Sequence, residues 1–514
     1  VQVLAALARA YADMGDIVNA RAAGKRAFAA SAGLDRQERL RIERIMESPD
    51  GSNWKRAVEI SQALWTFFPD DIEYGLQLAS DLTSAVRIDE AYAVLAKLRQ
   101  LPQPAGSDPR IDATDARAAL QIRDHQRALA SARRAVEGGR RNGSRHAVAE
   151  GRLIEGTALF DVADPPGAAV ALAEAEKLFR DTGDRQGVAR TVRIEGWLES
   201  EAGNLSAARE RYESGLAIAR DIGDLYVDAA LENDLGNVLS RMRLARPALE
   251  HYDVARAGFR KLNRTLAAVM VTYNRGDIFA DEGDLQAAGK EYEDALAADR
   301  AMDGKPYLSH IVDLLAWVAW QRGDLEKAAK LCAEANDTAG SEVFQIGDGQ
   351  LCSARVAAAS GQAAEAERHA ARAAEAFSGY GRVAGLARAH AMRAEALLAQ
   401  GRLAEAADAV AAAQRAHEGN QSLRARATLG IAAARVQAAR SGQLSAAIAA
   451  LRAVAAATGK TGTASDRFEA RLALGELLLR ARDPAGKAAL LALARDASAS
   501  GFERIARAAA AAAR

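Results

Sequence analysis

Gly276-Asp-Ile-Phe-Ala-Asp-Glu-Gly283-Asp284-Leu-Gln-Ala-Ala288-Gly-Lys-Glu-Tyr292-Glu-Asp-Ala295 is the stretch whose reading decides the fold. It contains a small residue, a Gly-Asp turn, an alanine, a large side chain four positions on and a small one seven positions on. The same order returns at an unvarying step of 40 residues. The alanine recurs as Ala128, Ala168, Ala208, Ala248, Ala288 and Ala328. The large position reads Leu172, Tyr212, Tyr252, Tyr292 and Cys332; the small one after it reads Ala175, Gly215, Ala255, Ala295 and Ala335. Twelve residues before each alanine stands Gly156, Gly196, Gly236, Gly276 or Ala316. Arg180, Arg220, Arg260 and Arg300 keep the same step. The first three are followed by Gly183, Gly223 and Asn263, residues suited to left-handed backbone at a helix end. A fixed period of this length means stacked helical hairpins. The expected fold is all-α, a right-handed superhelical solenoid of about thirteen antiparallel hairpins, with no strand pattern anywhere.

Toward the N-terminus the units are shorter. The first hairpin spans Val3 to Ala30 and turns at Gly15-Asp16. The second is capped by Ser52 or Asn53 and ends at Phe67-Phe68-Pro69-Asp70, where proline stops the helix and Asp70 or Asp71 caps the next. The third carries Ala91 and the fourth Ala128. Between them Leu101-Pro-Gln-Pro-Ala-Gly-Ser-Asp-Pro-Arg110 holds three prolines and excludes helix. We read it as an inter-repeat loop and the internal boundary between residues 1–110 and 111–514; an ordered loop packed on the stack is the alternative. Beyond Ala328 the anchors continue as Ala366, Ala406 and Ala447, and a last hairpin turns at Asp483-Pro484. The final helix, Gly501 to Arg514, is expected to cap the apolar end of the stack.

Composition excludes several functions. With 68 basic and 68 acidic residues the net charge is zero, so no global field favours nucleic acid or an anionic membrane. No apolar run reaches the ~18 residues that span a bilayer; Ile311 to Trp320 is interrupted by Asp313. Cys332 and Cys352 exclude a disulfide framework and a four-cysteine metal site, and are read as small buried apolar residues on neighbouring helices. The chain opens at Val1 without methionine and already inside a helical pattern, so an upstream portion is expected.

Catalytic patterns are missing from the chain. Gly379-Tyr-Gly381-Arg-Val-Ala384 lacks the last glycine of a dinucleotide loop and a preceding strand. Gly459-Lys460-Thr461 resembles the end of a phosphate loop, but Val454 stands at the first glycine's place; we read it as a turn. The seven histidines show no metal-ligand spacing. Neither kinase motifs nor a nucleophile–base arrangement occurs. No catalysis, cofactor or metal is expected.

The small residue, Gly-Asp turn, alanine and large residue together resemble the tetratricopeptide repeat, most closely in Leu235-Gly236…Ala248…Tyr252…Ala255 and in the stretch quoted first. Small side chains let the two helices approach, and the large one is read as filling the groove to the next hairpin. A narrower resemblance rests on Leu40-Arg-Ile-Glu43, Trp54-Lys-Arg-Ala-Val-Glu-Ile60, Leu64-Trp-Thr-Phe-Phe-Pro-Asp-Asp-Ile-Glu-Tyr-Gly-Leu76, the Leu101–Asp112 loop and Gly501-Phe…Ile505-Ala-Arg507. These are similar to the C-terminal repeat region of bacterial serine/threonine protein kinases and of related winged-helix regulators. The resemblance implies a sensor or docking arm whose output domain lies upstream.

In the repeat family resembled, the first helices line a concave groove. Counting back from the anchors puts Arg193, Trp197, Asn233, Asn237, Tyr273, Asn274, Asp277, His310, Asp313 and Trp317 on that side. Paired asparagine amides suit a peptide backbone and tryptophans supply anchors; the alternative is that the tryptophans fill core and the amides bridge helices. The expected function is a non-catalytic scaffold that binds a protein or peptide, in a signalling protein with an upstream kinase domain. Effector sensing for a winged-helix regulator, an assembly platform and self-association are the alternatives. The expected compartment is the cytoplasm, or outside it if a spanning segment lies upstream.

Overall fold

Small side chains at fixed places bring the helices together. The anchors Ala128, Ala168, Ala208, Ala248, Ala288 and Ala328 are all 0% exposed. A Cβ added at Gly236 would lie 2.5 Å from the Tyr252 ring, and one at Gly276 2.4 Å from Tyr292. The large residue therefore covers the glycine of its own hairpin. The glycine leaves a hollow of one ring's depth in which that aromatic lies, and the large residue also meets the next hairpin as expected: Tyr212 shares a core with Val227 and Leu231 of the following helix, and Tyr292 with Ile311 and Leu315. Left-handed residues close the helices as anticipated, Gly183 at φ 73° and Asn263 at φ 54°. Aspartates then cap the successors: Asp184 accepts from Gly187 N at 2.8 Å, and Asp284 from Ala287 N at 2.9 Å.

The computed structural model describes residues 1–13, 17–47, 54–162, 164–302, 304–340, 343–378, 383–418 and 422–514. The Gly15-Asp16 turn, the Ser52/Asn53 cap and the first four residues of the Gly379–Ala384 segment lie outside them. Among the described residues there are 27 α-helices and no strand. The contacts divide the chain into two units, Val1–Ala268 and Val269–Arg514.

In the first unit the short hairpins come first: α1 (Gln2–Asp13), α2 (Ile17–Ala29), α3 (Arg36–Glu47), α4 (Trp54–Phe67), α5 (Ile72–Ser84) and α6 (Ile88–Leu98). The longer ones follow: α7 (Pro109–Gln121), α8 (His125–Arg141), α9 (Arg145–Asp161), α10 (Pro165–Thr182), α11 (Arg185–Glu201), α12 (Leu205–Ile222), α13 (Leu225–Arg241) and α14 (Ala245–Lys261). Asp71 caps α5, accepting from Glu73 N at 2.9 Å. The proline-rich loop lies inside this unit. Its Leu101 packs on the α4–α6 core, and Asp108 caps α7 with Pro109 in the first turn. Asp81, 1% exposed, accepts from Arg44 Nε at 2.7 Å and from Ser61 at 2.6 Å. This buried node ties α3, α4 and α5 where the hairpins are least regular.

α15 (Thr265–Glu282) starts just before the division at residues 268 and 269. The second unit continues with α16 (Leu285–Arg300), α17 (Leu308–Gln321), α18 (Leu325–Thr338), α19 (Val343–Ala359) and α20 (Ala363–Ser378). It ends with α21 (Val383–Ala399), α22 (Leu403–His417), α23 (Leu423–Ala439), α24 (Leu444–Thr461), α25 (Ala464–Arg480), α26 (Pro484–Ala499) and α27 (Glu503–Ala512). Gly459-Lys460-Thr461 forms the last turn of α24. This corrects the reading as a turn between elements: the helix runs on until Gly462, whose backbone is extended.

The unit returns on itself. The last helix buries Phe502, Ile505 and Ala509 in a core shared with Leu285, Ile311 and Val318. The Phe502 ring stands 5.1 Å from Phe468 and 6.5 Å from Trp317. Gln321 at the end of α17, 0% exposed, donates to Ser465 at 2.8 Å and accepts from Arg504 at 3.2 Å. Arg424 donates to Asp281 at 3.1 Å. The C-terminal ends of α15 and α17 thus meet the starts of α23, α25 and α27.

One further correction concerns the cysteines. Both are buried, but Cys332 on α18 and Cys352 on α19 are joined in a disulfide, their Cα atoms 5.6 Å apart. Cys332 holds the repeat's large position, and the first helix of the next hairpin packs against it, bringing the two sulfurs together.

Candidate functional site

From α11 to α25 the first helix of each hairpin carries a half-buried side chain directly after its small residue. Read along the chain this position is Trp197, Asn237, Asp277, Trp317, Arg355, Glu395, Arg435 and Glu476, every one half-buried. The sequence reading found the first four. The others follow Ala354, Ala394, Ala434 and Gly475, a signal that the altered spacing after Ala328 concealed.

In the first unit these side chains are engaged with one another. Arg193 pairs with Asp234 at 2.5 Å and lies over the Trp197 ring, 4.6 Å from its centre. Trp197 also faces Phe160 at 6.5 Å and packs on the α11–α13 core. Asn233 is 3% exposed and donates to Asp234 at 3.3 Å. Asn237 accepts from the Tyr252 hydroxyl at 2.7 Å. The two amides share a face, but one is buried and the other is held by a tyrosine of its own hairpin.

In the second unit the corresponding residues are aromatic and charged. Tyr273 stacks edge-on with His310 at 5.1 Å and Tyr307 at 5.4 Å. Asn274 is half-buried beside it in sequence. Asp277 accepts from Tyr292 at 2.7 Å, and burial raises its carboxyl pKa against that bond. Trp317 packs against the core on one side. Asp313 lies 3.9 Å from Arg355 Nη2, beyond hydrogen-bond range, and its Oδ1 accepts no hydrogen bond among the described residues. Burial raises its pKa too, with Arg355 opposing.

The cations there are arginines that the sequence reading did not single out. Arg388 donates to Asp348 at 3.3 Å, and its pKa falls through burial and the neighbouring charges of Arg355 and Arg424. Arg435 bridges Glu395 at 2.9 Å and Glu476 at 3.0 Å. These side chains keep 28% and 24% of their surface exposed, although burial is the largest influence on each.

One histidine–carboxylate group, His146, Glu150 and Asp184, has its ligand atoms within metal-binding reach of one another. Glu150 already pairs with Arg117 and Arg190, and Asp184 caps α11. No described helix is long and apolar enough to cross a membrane.

Among solved structures the chain is similar to BtubC (BKLC) from P. vanneervenii, 23% identical over 42% of this chain and 92% of that one, TM-score 0.39. It is similar to a Signal Transduction ATPase with Numerous Domains protein with a tetratricopeptide repeat sensor from Pyrococcus horikoshii, 13% identical. That match covers 65% of this chain and 54% of the other, TM-score 0.46. Aspartyl phosphate phosphatase F from Bacillus subtilis is 11% identical over 68% and 95%, TM-score 0.48. No curated protein matches the chain. The sequence profile of the MalT-like TPR region matches residues 235–495, half of the chain. With its glycine–tyrosine hairpins and 27 described helices, the chain belongs to the MalT-like TPR region family.

Proposed function

We propose that the chain is a non-catalytic sensor region that takes its ligand on the inward faces of its first helices. The observation that carries this is the position after the small residues, Trp197 and Asn237 in the first unit and the six from Asp277 to Glu476 in the second: all are half-buried and hold polar or aromatic side chains where packing alone would call for aliphatic ones. A peptide or protein segment is the partner such a face suits by hydrogen bonding and aromatic anchoring. The resemblance of the Leu40–Leu76 segments supports a place in a signalling protein with a serine/threonine kinase domain upstream.

The test is a pulldown with the full chain, native against Asp277→Ala with His310→Ala. A partner captured by the native chain and lost from a variant with an unchanged melting curve supports the reading. A partner held equally by both, or none, removes the peptide or protein partner and leaves the small effector below.

Sensing of a small effector is the second reading, and the return of the second unit on itself favours it. Contacts between the ends of α15 and α17 and the starts of α23, α25 and α27 close that unit at these ends, and a partly closed face admits a small molecule more readily than a folded partner.

A further inference from the structure

The inward face of the second unit asks for two opposite charges at once. Asp313 Oδ1 is without a hydrogen-bond donor, and Arg355 stands too far away to supply one. A carboxylate oxygen buried in this way loses its hydration without replacement. A donor from outside the protein, carrying positive charge, would restore it. On the neighbouring first helices the demand is reversed. Arg355 and Arg388 repel one another electrostatically, and among the described residues Asp348 is the one carboxylate to which Arg388 donates, at 3.3 Å. A guanidinium presents five donors in a fixed fork, so one contact of that length leaves most of Arg388 open to a bidentate acceptor. Asp313 and Arg388 belong to the same cluster, each acting on the other's ionisation.

We propose that this cluster binds a small zwitterion of the amino-acid class, its ammonium on Asp313 and its carboxylate on Arg388 and Arg355. Tyr273 and Trp317, half-buried on α15 and α17, offer apolar surface for a side chain. The proposal rests on the sensor reading and narrows it to the second unit. A neutral polyol would meet the hydrogen-bonding demand but leave the two charges as they are, and a simple anion would aggravate the position of Asp313. Only a ligand bearing both charges relieves both ends.

The test uses the full chain and the twenty standard amino acids as probes at up to ~10 mM, about ten times a Kd of ~1 mM. Thermal shift and titration calorimetry are the readouts. At least one amino acid is expected to raise Tm and to titrate at one site. Its N-acetyl and its carboxamide forms are each expected to bind at least ~10-fold more weakly, as are Asp313→Asn and Arg388→Gln with the free amino acid. Absence of binding by all twenty, equal binding of the blocked forms, or unchanged affinity in both variants overturns the proposal. Should the variants fail to fold, the blocked forms on the native chain decide alone. Failure here with a partner still captured in the pulldown removes only the zwitterion, whereas failure of both removes the sensor reading.

Discussion

Arg424 at the start of α23 donates to Asp281 at the end of α15, 3.1 Å away and 143 residues earlier in the chain. Contacts of such separation are foreign to an open stack, in which each repeat touches only its neighbours. Here they join Phe502, Gln321 and Ser465 in a closure of the second unit. Phe502→Ala should therefore cost about 3–5 kcal/mol in a urea melt, the range for removing a buried aromatic. Hydrogen exchange should quicken in α17 as well as in α27. If only α27 loses protection, the closure contributes nothing to the helices it covers.

Ala248 is 0% exposed beneath its partner helix, so Ala248→Leu should force the hairpin apart and destabilise by about 1–3 kcal/mol. An unchanged melting curve would mean that the 40-residue register is misplaced.

The Tyr252 hydroxyl and Asn237 Oδ1 are 2.7 Å apart. Tyr252→Phe and Asn237→Ala should each cost about 1 kcal/mol, and the double mutant little more than either alone. Additive losses in the cycle would free Asn237 for a partner and return it to the binding face.

Glu195 is 12% exposed in its side chain. Burial pushes its carboxyl from near 4.5 up to about 7, with Arg211 pulling the other way. The folded chain holds this proton more tightly than the unfolded one. Its contribution to stability is thus complete below about 4.5 and lost as pH rises through about 7. Glu195→Gln should flatten that fall and gain on the order of 1–3 kcal/mol over the native chain at pH 8. Urea melts at pH 5 and pH 8 check it; a variant weaker at pH 8 would show a well-paired carboxylate.

The disulfide closes a loop with a separation of 20 residues. Reduction should lower stability by about 3 kcal/mol in the chain-entropy account. No change on full reduction would show that the α18–α19 packing alone sets the geometry.

Much of the fold was legible because repetition multiplies weak signals. No single Ala248 or Tyr252 is diagnostic, but a position that returns every 40 residues betrays the packing that requires it. Long-range contacts carry no such period. Nothing in Gln321, Ser465 and Arg504, widely separated and unlike, announces that they meet. The proposed ligand face was half legible for the same reason. Trp197 to Trp317 keep the regular step, whereas from Trp317 through Arg355, Glu395 and Arg435 to Glu476 the spacings are 38, 40, 40 and 41 residues. The depth of Asn233 was not legible because helical periodicity gives a direction but not a depth: its neighbour Asp234, drawn to Arg193, shares the same buried ground. The disulfide was hidden by composition, since a buried free cysteine is the commoner case.

An ordinary solenoid can be lengthened by copying a unit, since one more hairpin alters nothing but its extent. The Asp281–Arg424 and Gln321–Ser465 bonds remove that freedom from the second unit. Their partners meet only if a set number of hairpins of set pitch lies between them, and one extra hairpin would carry Ser465 past Gln321. The second half of this repeat protein is a counted object, and its gene can gain or lose units there only by giving up the closure.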